Sequence, residues 1–339
     1  MIKGFLAAVS LLAFCAAAQA GGADDLKAAT DAAQQGQVND AVRLFTQALA
    51  AGDLSPADQL AAHKGRGTGY TSQSLIADAF ERLDQARTLR EQAIADFTAA
   101  IKAKADDADL YVARGQAYDF NGQYDPAIAD FTAAFKIKAS PLTLAQRAGS
   151  KSAKGDYDHA IADYSAALEL AAKDPKGAGI EATDLYSERG YTNFAAMHFA
   201  DAAADLDKGL TLGTPTRRTD VLWLPYQSAW LHIARARAGQ DDREELARNA
   251  AKMDVKQWPG TLVAYFLGEM KLDDVAPAST HGSMGHAREC NLAFFIGEQA
   301  LAKKDNATAT QQLTRARAAC NIHTVHYLIT GVELKRLGK

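Results

Sequence analysis

Three stretches of the chain repeat one another: Gly122-Gln-Tyr-Asp-Pro-Ala-Ile-Ala-Asp-Phe-Thr-Ala-Ala, Gly155-Asp-Tyr-Asp-His-Ala-Ile-Ala-Asp-Tyr-Ser-Ala-Ala and Gln92-Ala-Ile-Ala-Asp-Phe-Thr-Ala-Ala. With the first alanine after the turn as the marker, Ala93, Ala127 and Ala160 fall 34 and 33 residues apart. Self-similarity at that period means stacked two-helix units, because one such unit cannot bury its apolar face alone.

In the middle unit Arg114-Gly-Gln-Ala-Tyr118 lies on a first helix and a turn falls at Asn121-Gly122. A second helix carries Ala127, Phe131 and Ala134 at i, i+4 and i+7, on one face. The small residues let the helices approach, and Phe131 is predicted to insert between them, as are Phe45, Phe97 and Tyr164 in the units around Ala41, Ala93 and Ala160. Weaker copies follow: Gly190 with Ala202 and Leu206, then Gly297 with Ala309, Leu313 and Ala316.

Spacing and residue types resemble the tetratricopeptide repeat (TPR) family. The expected fold is all-α, a superhelical solenoid of helix hairpins over 21–212, followed by a divergent helical region over 213–339 that closes in a terminal hairpin.

Two steps break the period. From Ala160 to Ala202 it is 42 residues, with the excess in the turn-rich Asp174-Pro-Lys-Gly-Ala-Gly179. From Ala41 to Ala93 it is 52, which predicts a break at Thr71-Ser-Gln-Ser74 and one enlarged repeat with an overlong second helix, or else an irregular extra helix. Ser55-Pro56, Asp125-Pro126, Ser140-Pro141 and Thr214-Pro215 each place a capping oxygen before a proline, and so mark helix starts.

Lys3, the apolar run from Phe5 to Ala18 and Ala18-Gln-Ala20 read as a signal peptide over 1–20, which predicts a periplasmic or secreted product. Leu12-Ala-Phe-Cys15 is the alternative, a lipidation site, but the bulky Phe14 stands where a small residue is needed. Loss of Lys3 takes Lys plus Arg from 37 to 36 against 41 Asp plus Glu. That mildly acidic, dispersed charge argues against nucleic acid as a partner, and nothing after the leader is apolar enough to span a membrane.

The mature chain keeps Cys290 and Cys320. The last turn, near Asp305, lies fifteen residues from each, so an antiparallel helix pair brings the sulfurs together. In an oxidising compartment this predicts a disulfide. The same symmetry brings His286 near His323, leaving a metal site of His286, Cys290, Cys320 and His323 as the alternative.

Further on, Trp230-Leu-His-Ile-Ala-Arg-Ala-Arg, Trp258-Pro-Gly260, Tyr265-Phe-Leu-Gly-Glu269 and Glu289-Cys-Asn-Leu-Ala-Phe-Phe-Ile-Gly-Glu298 follow in order. Together with the terminal Glu333-Leu334 helix, they look like the NlpI-type periplasmic TPR proteins over residues 140 to 337. The resemblance implies a homodimeric adaptor that brings cell-wall hydrolases to a protease.

Catalytic motifs are not found. Gly65-Arg-Gly-Thr-Gly69 has no preceding strand and the wrong spacing for a phosphate loop, and His281-Gly-Ser-Met-Gly-His286 sets its first glycine one residue too close to Ser283 for a nucleophile elbow. No enzyme and no cofactor are expected. Function falls to the concave surface, which should grip other proteins or peptides with Asp109, Val112, Gln116, Phe120, Tyr191 and Phe194. The two phenylalanines have a competing place in the core. The Lys, Arg and Asn set that clamps a terminal carboxylate is missing.

Overall fold

The computed structural model describes residues 21–213, 220–275, 283–322 and 324–339. Among them the regular structure is entirely helical. Five hairpins follow one another: α1 (Gly22–Gln34) with α2 (Val38–Ala51), α3 (Pro56–Ala79) with α4 (Leu83–Ala103), α5 (Ala108–Phe120) with α6 (Tyr124–Ile137), α7 (Pro141–Lys154) with α8 (Tyr157–Lys173), and α9 (Ala182–Ala195) with α10 (Phe199–Leu212). Each second helix packs on the next first helix, and the first helices also touch in series, α1 on α3, α3 on α5, α5 on α7 and α7 on α9. The first helices therefore share one wall of the solenoid.

The aromatic knobs sit where the repeat places them. Phe45, Phe97, Phe131 and Tyr164 are all buried among the marker alanines. A Cβ added at Gly115 would lie 2.9 Å from the Phe131 ring, closer than any side chain tolerates, so glycine there is what lets α5 and α6 close over the knob. At the turn after α7, Gly155 adopts φ +89°, a left-handed conformation that glycine takes without a Cβ penalty.

A second periodic feature joins the units. Arg114 Nε and Nη2 donate to both oxygens of Asp130 at 2.8 Å, while Nη1 donates to Thr98 Oγ1 of the preceding unit at 3.1 Å. Arg147 does the same with Asp163 and Thr132, Arg189 with Asp205 and Ser165, and Arg66 with Asp96 and Thr46. Each fork closes its own hairpin and ties it to the previous second helix, geometry a planar guanidinium supplies and an ammonium does not. The hydrogen bonds to their aspartates raise the pKa of Arg66, Arg114 and Arg189 against the opposing effect of burial.

The enlarged repeat is real, but it is built differently from the expectation. There is no break at Thr71–Ser74: α3 runs on through it, with Thr71 and Ser72 donating to the carbonyls of Gly67 and Thr68, and Ser74 to that of Thr71. The Arg-to-Asp spacing is 16 residues for Arg114–Asp130 and 30 for Arg66–Asp96. The difference, 14, amounts to about two extra turns in each helix at 3.6 residues per turn. This longer hairpin exposes Leu75, Ile76, Phe80 and Leu83 at its end.

Of the start signals, Ser55 caps α3 by accepting from Asp58 N at 3.2 Å, and Ser140 precedes Pro141 at the start of α7 without a capping bond. Asp125-Pro126 lies inside the first turn of α6, whose cap position is Gln123. Thr214-Pro215 lies outside the described residues.

Beyond residue 213 the hairpin rhythm loosens. A long α11 (Asp220–Arg237) is followed by the short α12 (Arg243–Ala250), α13 (Gly260–Leu267) and α14 (Leu272–Val275). Then α15 (Ser283–Ala302) and α16 (Asn306–Ala319) form a last hairpin, and α17 (Val325–Arg336) packs on α16, α15 and α9. The largest apolar cluster lies here, around Trp230, Phe294, Phe295 and Ile329. Trp258 belongs to a packed corner, donating Nε1–H to Tyr226 Oη at 3.1 Å.

Candidate functional site

The candidate groove is the wall of first helices, and polar side chains stitch that wall together. Ser150 on α7 donates to Asp119 on α5 at 2.5 Å, Thr192 on α9 meets Ser152 on α7 at 3.4 Å, and Gln227 on α11 donates to the Tyr191 hydroxyl. Hydroxyl, carboxylate and amide partners at successive helices hold the spacing of the wall without filling it with bulk.

On α5, Asp109 is exposed and Val112, Gln116 and Phe120 are partly buried. Phe120 and Tyr191 come together: both line one cavity of about 220 Å³, formed by residues of α5 to α9 and of α17. Asp109, Val112 and Gln116 do not line it.

Phe194 is not a groove residue. It is 1 % exposed, with its ring 5.0 Å from that of Phe199 and 5.4 Å from that of Trp230. The reason is helical phase: Phe194 is three residues past Tyr191 and four past Gly190, on the side of α9 that faces α10 and α11.

What repeat reasoning did not find is the role of α17 in shaping this end of the groove. Val325 and Leu328 reach the cavity, while Ile329, Thr330 and Glu333 of the same helix are buried. There Arg237 donates to Glu298 and, at 2.7 Å, to Glu333, which also accepts from Arg336 at 2.8 Å. Burial pushes Glu298 up to about 8, against the pull of Arg237 and with Glu333 adding to the rise. His326 packs its ring on Trp230, Phe294 and Phe295, and burial pulls it down to about 3. The sequence signal for this clamp is Glu298 and Glu333, acidic residues in otherwise apolar helical stretches, for which the sequence alone assigns no partner.

The Cys290 and Cys320 sulfurs stand 2.00 Å apart across α15 and α16. Of the alternative metal set, His286 is exposed, with Nδ1 3.6 Å from Glu81, and His323 lies outside the described residues. Among the described residues, no three His, Cys, Asp or Glu side chains gather as metal ligands, and no helix is long and apolar enough to cross a membrane.

Residues 108–141 and 143–174 match the tetratricopeptide repeat model. A search of curated proteins gave no match. Among solved structures, the chain is similar to a tetratricopeptide repeat protein from Parabacteroides merdae, with 12 % identity, 91 % of this chain and 98 % of that one covered, and a TM-score of 0.54. It is also similar to the apo form of the quorum sensor NprR from B. thuringiensis, with 13 % identity, coverage of 94 % and 87 %, and a TM-score of 0.52. At these identities the likeness speaks to fold. The two units between 108 and 174 are tetratricopeptide repeats, set in an all-α solenoid.

Proposed function

We propose that this chain is an exported scaffold that holds other proteins or peptides in its concave groove and performs no catalysis of its own. The observation that carries the reading is the continuous wall of first helices, ending where Phe120 and Tyr191 meet on one cavity. Such a wall offers spaced side chains to an extended or helical segment, the use to which superhelical repeats put their inner surfaces.

Export is supported by the signal-peptide-like run over 1–20, and in this reading the product works in the periplasm or outside the cell. The NlpI-type resemblance over 140–337 adds the finer reading: a homodimeric adaptor between cell-wall hydrolases and a protease.

Co-purification from periplasm tests the groove. Phe120→Ala and Tyr191→Ala should each lose the partners that the unaltered chain retains, with helical content unchanged by circular dichroism. Unchanged recovery would overturn the groove. Because Tyr191 also stacks on Trp230 at 4.7 Å, Phe120→Ala is the cleaner of the two.

A further inference from the structure

The first helix starts against the far end of its own hairpin. Gly21 leads the backbone into α1, and its carbonyl accepts from Asp24 N at 2.9 Å and from Asp25 N at 3.1 Å, the first bonds of the helix. Gly22 is buried, and a Cβ there would stand 2.3 Å from Asp53 Oδ1 and 3.0 Å from the Ala48 carbonyl oxygen, so this contact requires glycine. Asp53, two residues past the end of α2, turns back across the hairpin and accepts the Gly22 N–H at 3.1 Å on Oδ1 and 3.3 Å on Oδ2.

An ionised carboxylate has about four acceptor positions, and one shared N–H leaves most of them open. Among the described residues no lysine, arginine or histidine side chain pairs with Asp53. A Cβ built on Gly21 would lie 3.5 Å from Asp53 Oδ2, and the Gly21 nitrogen hangs on the same Cα.

The sequence puts its cleavage signal at this very residue. Ala18-Gln-Ala20 closes the leader, which makes Gly21 the first residue of the product. A leader peptidase adds one water across the Ala20–Gly21 amide: the C–N bond breaks, Ala20 leaves as a carboxylate, and Gly21 keeps the nitrogen as an α-ammonium. A positive charge at the start of a helix opposes the macrodipole. Here it meets Asp53, with Asp24 and Asp25 in the first turn adding negative charge of their own. A cut after Ala18 would leave the ammonium two residues, up to about 7 Å of chain, farther out, where water and salt screen it. A cut after Gly21 would remove the carbonyl that starts α1.

We propose that the α-ammonium of Gly21, created by cleavage of the Ala20–Gly21 bond, pairs with Asp53 and locks the first hairpin, an inference that rests on the export reading above. Removal of the leader then completes the N-terminal unit, since the uncut chain has an uncharged amide at this position.

The test begins with the full chain expressed for export, whose intact mass should show Gly21 as the first residue. In that product, labelled with ¹³C-glycine, the Gly21 Cα resonance follows the titration of the amine. Its midpoint should stand at least about 0.5 pH unit above that of Asp53→Asn, a variant that keeps an acceptor for Gly22 N–H, and the gap should shrink in 1 M salt. Urea unfolding gives the second reading: Asp53→Asn should raise the unfolding constant at least about twofold more in the chain begun at Gly21 than in one begun at Ala18.

Equal midpoints in the two proteins, or equal losses in the two chain lengths, would overturn the pairing. A product that starts at another residue would overturn it as well, because the ammonium would then lie elsewhere. A chain that keeps Met1 would overturn the export reading together with the pairing, whereas a product cut before Gly21 with an unmoved titration leaves export standing and refutes the pairing alone.

Discussion

The repeated arginine fork gives the sharpest test of what holds the solenoid together, and Arg114→Ala is the perturbation to make. The side chains of Arg114 and Asp130 are 18 % and 8 % exposed. Removing the arginine leaves a nearly buried carboxylate without its bidentate partner, a change that costs about 3–5 kcal/mol when the pair is fully buried. Water reaches the guanidinium here, which argues for the low end of that range or slightly below it. The lost bond to Thr98 adds about 1 kcal/mol, for a total of roughly 3 kcal/mol.

Urea denaturation followed by circular dichroism reads the cost, and a double-mutant cycle with Asp130→Ala separates the pair from packing. Arg114→Lys should recover only part of the loss, because one ammonium cannot span two carboxylate oxygens and a hydroxyl of the next unit. Arg114→Met combined with Asp130→Leu should stay within about 1 kcal/mol of the unaltered chain, since it leaves no orphaned charge. A cost for Arg114→Ala below about 1 kcal/mol, or single losses that simply add in the double variant, would refute the reasoning.

The α17 clamp predicts a pH dependence of stability. Glu298 titrates at about 8 in the folded chain against an ordinary value of 4.5, so the folded state holds the extra proton between those values and stability falls as pH rises through them, by at most about 1.4 kcal/mol per pH unit. His326, lowered from 6.5 to about 3, works in the other direction: the unfolded chain binds the extra proton, and stability is lost as pH falls from 6.5 toward 3. Glu298→Gln should therefore flatten the decline between pH 5 and 8 and move the optimum upward in thermal melts across that range; an unchanged profile would refute the assignment. For the cysteines, thiol titration of the unfolded, unreduced chain should find none of Cys290 and Cys320 free and metal analysis should find no bound ion, and Cys290→Ser should lower stability by about 2–4 kcal/mol for a loop of this length. Two titrating thiols would overturn the disulfide.

The hairpins were legible because each is specified by its own local sequence. Ala127, Phe131 and Ala134 fix a packed face within a few turns, and the copies around Ala93 and Ala160 repeat it. The arginine forks are hidden in the sequence because their partners lie on different helices: Arg114, Asp130 and Thr98 look like three unrelated polar residues until the hairpins are stacked. The regular spacing of arginine to aspartate was nonetheless present in the sequence. At α3, Thr71 to Ser74 suggested a break because hydroxyl side chains compete for the backbone, yet here they bond back onto their own helix. Phe194 and Tyr191 show the limit at the site itself, since three residues along one helix separate the core from the cavity and no local pattern says which way the phase falls.

How α17 packs on the α15–α16 hairpin and on α9 decides the shape of this part of the groove. The α15–α16 hairpin packs on α11, and its remaining apolar surface has to be covered or made polar. Here α17 covers it with Ile329 while Arg237, Glu298 and Glu333 join three helices beneath. The same helix turns Val325 and Leu328 toward Phe120 and Tyr191. A cap built of charge and apolar surface together has a fixed rotation: turning α17 about its axis to take Leu328 out of the cavity would pull Glu333 off Arg237 and leave buried charge unpaired. The side chains presented to the cavity are thus tied to the rotation that the clamp fixes, and the shape of this end of the groove follows from the requirements of its stability.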